Sequence, residues 1–327
     1  MTATPREPKR AYHYTSAEAF LSIIRSGCLR ASSTHALNDR SELIYGLQQL
    51  REYAESGDGG EAVAQLLAVL DDEDVAYENN EYNDVFVASA SGRGDSTSQW
   101  YRYGDKGRGY AIGFRADAPL AIRTPIPPMD EFALEISVGD FSIVDTWQRV
   151  VYGSEKELPE LFNALVASTT SIRDKHVEER TRLLADAGPE EGAQRAAHAQ
   201  ANFEVMLANL EIAAELNKLF RLLKGDPWRE EQEVRSVAVL RDGGALMKYK
   251  PAKGGDPTTY IELIARDPGS ERHLRYLPES QHPGPLPIAE VVVGPLTGAQ
   301  DVQCVEQFLE EHGYPDVAVR RSKAAMR

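Results

Sequence analysis

The chain has 327 residues, 42% apolar and 27% charged, a make-up that fits a packed core and excludes wholesale disorder and fibrous repeats. Its apolar runs fall well short of the ~20 residues of a membrane span, the basic N-terminus lacks the apolar stretch of a secretory signal, and two cysteines, Cys28 and Cys304, are too few for a disulfide scaffold. The net charge is −15, but residues 52–84 hold eleven acids and no Lys or Arg, which leaves −4 elsewhere; a surface-wide nucleic-acid platform is excluded and a local anion site is not.

Residues 11–15, rich in Tyr and Thr, read as a short strand. Ser16 caps a helix in which Phe20, Ile23 and Ile24 recur at helical spacing, and Gly27 ends it. A second short strand begins at residues 28–31. Asn38-Asp39 caps a further helix with Leu43, Leu47 and Leu50 on one face, residues 56–60 are a loop, and 61–70 a helix. Residues 84–91 and 109–115 alternate as strands, with a polar, Gly-rich loop between them; 132–137 and 148–152 are further strands. Residues 154–224 are rich in Ala, Leu, Glu and Arg and break once, at Gly188-Pro189, which predicts two long helices. Strands return at 234–240, 260–264 and 288–293, followed by a helix over 299–311 and a strand at 317–319. The order predicts one α+β domain over residues 1–327, with 154–224 as a helical insertion and as a surface for a homodimer.

No histidine pair has ligand spacing, and no CxxC, Walker-type loop, nucleophile elbow or Rossmann glycine pattern occurs. Three constellations remain. His13, in Tyr12-His13-Tyr14-Thr15-Ser16, ends a strand beside a helix N-terminus, a place that suits a ribose hydroxyl or phosphate as well as an edge-strand core residue. Ser89 and Ser91 face one side of a strand. The loop after them carries Trp100, Tyr101 and Tyr103 with Arg102, Lys106 and Arg108: rings that can stack on a flat ring, and cations that can hold phosphate. Trp100 fits a core anchor equally. In the third, Glu231 and Glu233 are two apart at a strand start, near Arg229 and Arg235.

These residues carry two resemblances. Tyr12 to Ser16, Leu37-Asn38-Asp39 with Glu42, Ser96-x-Ser98-Gln99-Trp100, Gly109-Tyr110-x-Ile112-Gly113-Phe114, Glu230-x-x-Glu233-x-Arg235 and Val291 to Pro295 resemble the landmarks of a widespread bacterial family of unknown function. More distantly, the order His13, Ser89-Ala90-Ser91, Glu231-Gln232-Glu233 resembles that of ADP-ribosyltransferases. That resemblance implies a split sheet with the helical hairpin inserted between its halves, and NAD as the substrate. It implies that His13, with Tyr14 and Thr15, holds a ribose, and that Ser89 or Ser91 supports the nicotinamide. Tyr101, Tyr103 or Tyr110 would stack on that ring. Arg102, Lys106 and Arg108 would hold phosphate. Glu233 would stabilise an oxocarbenium-like state, and Glu231 would orient the acceptor.

The expectation is therefore an NAD-consuming transferase of the cytoplasm, a toxin or phage-defence effector acting on a protein or nucleic acid. Two rivals stand beside it. One is a nuclease using Asp39, Glu42, Glu231 and Glu233 around Mg²⁺; the other is a nucleotide-sensing module with Arg102, Lys106 and Arg108 as its anion clamp.

Overall fold

A computed structural model describes residues 8–34, 40–56, 63–64, 66–68, 83–126, 142–153, 158–241, 246–251, 257–298 and 300–326. Its strands are β1 (Arg10–Thr15), β2 (Leu29–Ser33), β3 (Asn83–Ser91), β4 (Tyr110–Arg115), β5 (Leu120–Thr124), β6 (Ile143–Val144), β7 (Gln148–Arg149) and β8 (Val151–Tyr152). They continue with β9 (Leu223–Lys224), β10 (Glu233–Arg241), β11 (Lys248–Pro251), β12 (Pro257–Ala265), β13 (Leu274–Tyr276), β14 (Ile288–Val293) and β15 (Ala318–Arg321). The helices are α1 (Ala17–Ser26), α2 (Arg40–Glu55), α3 (Thr97–Arg102), α4 (Leu158–Ala185), α5 (Glu191–Phe220) and α6 (Asp301–Glu311). The protein is α+β with a mixed open sheet. Among the described residues no helix is long and apolar enough to cross a membrane.

The chain divides into two compact units. The first comprises residues 1–40, 85–150 and 225–327. Its sheet runs β13-β5-β12-β2-β3-β1-β4-β14-β15, with β10 also on β3, β6 and β7 on β10, and β11 on β12. β13–β5 and β14–β15 are parallel, and the other ladders of this sheet with a described register are antiparallel. One face carries the main core, where Phe20 and Ile24 of α1 meet Ile112, Phe114, Ile122, Trp147, Leu263 and Val291. α1 forms for local reasons. Ser16 accepts the Ala19 amide, Gly27 closes the helix at φ 63°, and the three apolar residues on one face are buried. Each is worth ~1.5–3 kcal/mol of transfer energy.

The second unit comprises residues 41–84 and 151–224. α4 and α5 form the expected hairpin, and Phe162, Leu165, Ile212, Leu216 and Phe220 close a core with Leu50, Val63 and Leu66. The sequence does not signal this joining of 41–84 to the hairpin. β8 and β9 pair in parallel, so the stretch enters and leaves at adjacent points. The expected strand at 132–137, the Asn38-Asp39 cap and half of the helix at 61–70 lie outside the described residues.

Candidate functional site

The segment between β3 and β4 is pinned at every turn. The Ser91 hydroxyl donates to the Glu231 carbonyl at 2.7 Å, and the Gly92 amide donates to the Gln232 carbonyl at 2.7 Å. The Tyr14 hydroxyl donates to the Arg93 carbonyl and accepts the Ser96 amide, at 2.7 and 3.0 Å. Trp100 is fully buried, edge-on to Tyr14 at 4.8 Å between centroids, with its Nε1 donating to Asp95 at 2.9 Å. It is a core anchor. Asp95 also accepts from the Ser322 hydroxyl and the Lys323 amide, which brings the C-terminal residues onto this loop. Gly109 is required here: a Cβ would stand 2.0 Å from the Thr15 carbonyl oxygen.

On this base stand rings and cations. Tyr101 is 64% exposed, Tyr103 53% and Trp228 47%. The Arg102 guanidinium lies over the Trp228 ring at 5.6 Å and pairs with Glu231 at 2.8 Å and Glu230 at 3.0 Å. The Tyr103 hydroxyl donates to the same Glu231 oxygen at 3.3 Å. Lys106 and Arg108 are exposed and form no ion pair among the described residues. The backbone beneath them is left-handed at three successive residues, Asp105 (φ 49°), Lys106 (φ 53°) and Gly107 (φ 89°). Two of these are not glycine, and such residues cost of order 1–3 kcal/mol each and cluster at functional sites. Gln232 is left-handed as well, and its side chain accepts from Arg93 at 2.8 Å.

The expected pocket of His13, Ser91 and Glu233 does not form. His13 stands abreast of Ile112, on the face that bears the main core. Ser91 stands opposite Tyr12, and Glu233 precedes the core residue Val234, so both lie on the other face. Glu233 is also buried and gripped bidentately by Arg235, at 2.7 and 2.9 Å, which leaves it closed to a ribose. Glu231 is buried behind Arg102 and Tyr103. The remaining assignments separate as follows. Tyr110 stacks on Phe20 at 4.3 Å rather than facing a ligand. Tyr14 and Thr15 are buried, and Tyr14 is consumed by its loop contacts. Arg102 is paired, so of the three proposed clamp cations Lys106 and Arg108 remain. Ser89 is exposed.

His13 has a distinct setting. β1 meets β3 at Tyr12–Ser91, and where the strands part the His13 Nδ1 bonds the Ser89 carbonyl at 3.0 Å. Burial holds the imidazole below its ordinary pKa, and that bond offsets part of the shift. In the neutral ring Nδ1 is then the donor and Nε2 the acceptor.

Trp228 stands three residues before Glu231 and nothing in the sequence gives it a role; its exposure is a tertiary fact. It also misses Glu290, a buried carboxylate on β14 that accepts from Arg10, Tyr12 and Arg320. A lone acid between Ile288 and Val291 is the available signal. Among the described residues, no group of three His, Cys, Asp or Glu could hold a metal ion. Asp39 and the Glu42 side chain of the nuclease reading lie outside those residues.

A family model described as a protein of unknown function (DUF2971) matches residues 99–236. The matched stretch begins at Gln99 in α3 and ends at Ser236 on β10, so both sides of the Arg102–Glu231 contact fall within it. No curated protein and no solved structure matches the chain.

Proposed function

We propose that this chain is a nucleotide-binding module whose platform is the ring-and-cation surface of residues 101–108 with Trp228. The observation that carries this reading is the exposure of Tyr101 and Tyr103 on a segment otherwise fixed by buried anchors, with the exposed Trp228 ring against Arg102 of that segment. Large rings left in solvent on a rigid base are suited to stacking, worth ~1–3 kcal/mol per base. Lys106 and Arg108 supply charge for phosphate. NAD is the nucleotide to which the distant resemblance points.

A second reading is the NAD-consuming transferase, with a macromolecular acceptor. What favours it is His13, a neutral imidazole where two strands part and beside a capped helix N-terminus. In this reading the Glu233–Arg235 pair has to open before Glu233 can meet a ribose.

The test is titration of the full chain with NAD, followed by Trp fluorescence and by nicotinamide release. Binding without release supports the module, and Tyr103→Ala or Trp228→Ala should weaken it about tenfold, the equivalent of ~1.4 kcal/mol. Nicotinamide release would favour the transferase. If NAD and ATP both leave the fluorescence unchanged, the module reading fails.

A further inference from the structure

A cavity of about 150 Å³ lies in the first unit, lined by residues that include Arg123, Lys248, Glu262, Leu246 and Met247. Strand register builds it. Glu262 of β12 stands opposite Arg30 of β2, and Leu263 opposite Ile122 of β5, which brings Arg123 abreast of Glu262 on the other side. Lys248 of β11 is set opposite Tyr260, two residues from Glu262. One largely buried carboxylate thus sits among three cations. Glu262 takes Lys248 at 3.1 Å and Arg123 at 3.5 Å. The second acid at the cavity, Glu279, is 70% exposed and reaches Lys248 at 3.5 Å. The next row adds Lys250, whose Nζ donates to the Ser32 hydroxyl at 2.7 Å.

Arg123 shows what the cavity lacks. Its Nη2 donates to the carbonyls of Pro278, Glu279 and Gln281, at 2.9, 3.1 and 3.1 Å, which locks the guanidinium in place. Its Nε is buried and has no hydrogen-bond acceptor among the described residues. A buried donor left without an acceptor costs ~1–3 kcal/mol, and a guanidinium fixed by its other nitrogens cannot turn to find one. Two cations, Arg123 and Lys248, stand with two acids, Glu262 and the exposed Glu279, and an unmet N–H, a half-exposed ammonium and apolar walls converge on one space. That space is comparable to a cavity of roughly 150 Å³ that takes benzene.

We propose that this cavity binds a compact oxyanion, a carboxylate or a phosphate, on a molecule no larger than about the size of benzene. The anion accepts from Arg123 Nε and Lys248 Nζ, and the apolar part rests on Leu246 and Met247.

The experiment is calorimetric titration of the full chain with sodium benzoate, with inorganic phosphate and with benzamide, the neutral counterpart of benzoate. The expected result is one site for benzoate, phosphate or both, with benzamide at least tenfold weaker. Benzoate alone identifies a carboxylate ligand, and phosphate alone a phosphoryl one. Lys248→Gln, a half-exposed change that leaves the Arg123 lock intact, should weaken the anion about tenfold. Met247→Trp should fill the cavity and abolish binding; if that variant does not fold, Lys248→Gln decides alone. Tyr103→Ala should leave this binding unchanged, which keeps the result separate from the nucleotide platform. The proposal is overturned if neither anion binds at about 10 mM, a concentration that would reveal even millimolar sites. It is overturned equally if benzamide matches benzoate, or if Lys248→Gln changes nothing.

Discussion

Glu233 and Arg235 face each other across one strand pitch, both buried, with two nitrogens on two oxygens. Removing one member of such a pair leaves a buried charge uncompensated, which costs ~3–5 kcal/mol. Glu233→Gln should therefore lower the urea midpoint sharply; a variant as stable as the parent would show that the pair contributes little. Glu233→Leu with Arg235→Met should be less damaging than the single change. His13 gives a pH prediction. Because its pKa is lowered on folding, the unfolded chain takes up its proton first, so stability is highest above about 6.5 and falls as pH drops below it. Denaturant melts at pH 7 and pH 5 should show a larger loss in the parent than in His13→Asn, and equal losses would refute the assignment. The residue types here were legible: an acid and an arginine two apart, and a histidine in a strand. Which atoms they spend on each other was not, because that depends on the strands at either side. The sequence places His13 and Glu233 on strands, and only the register puts them on opposite faces.

At the level of elements, the loop over 104–107 holds Lys106 in a left-handed conformation at φ 53°, where a Cβ is strained by roughly 1–2 kcal/mol. Lys106→Gly should raise thermal stability by about that amount while weakening phosphate-bearing ligands. A fall in stability would mean that the lysine side chain holds the loop. In the hairpin, His176 of α4 is buried, with Nδ1 at 2.6 Å from Glu204 and Nε2 at 3.1 Å from Glu211, both on α5. His176→Ala leaves both carboxylates facing a gap, a loss of ~1–3 kcal/mol. Loss of helical signal on heating should come earlier in that variant, and an unchanged melt would count against the bridge. α1, α4 and α5 were legible because their signals are local: a Ser cap, a Gly stop, a Gly-Pro break. β5, β11 and β13 were not. They are short, β11 and β13 carry Lys248, Lys250 and Arg275 among few apolar residues, β5 has only three apolar residues before Arg123, and they become strands because β12 and β5 offer them edges.

The whole chain carries two separate sets of buried side chains. One is built on Phe20, Phe114 and Trp147, the other on Phe162, Leu216 and Phe220. Independent cores break all-or-none unfolding. Scanning calorimetry should show two transitions, or a calorimetric enthalpy above the van't Hoff value; one transition with equal enthalpies would mean that the units melt as one. The split of the second unit over 41–84 and 151–224 hides from a sequence reading because nothing local ties the two stretches together. Their apolar faces match only in three dimensions.

The clasp on Asp95 has a consequence in time. Ser322, which closes it, lies 227 residues further along the chain. At ~5–20 residues per second, a ribosome needs roughly 10–45 s to travel that distance. Through that interval the loop bearing Trp100 has been made but lacks its last fastener, and Gly107 has no Met326 beside it. A nascent chain should pass through a stage in which the ring-bearing segment is open to proteases and chaperones, and that window shuts only once residues 322 and 323 have been made.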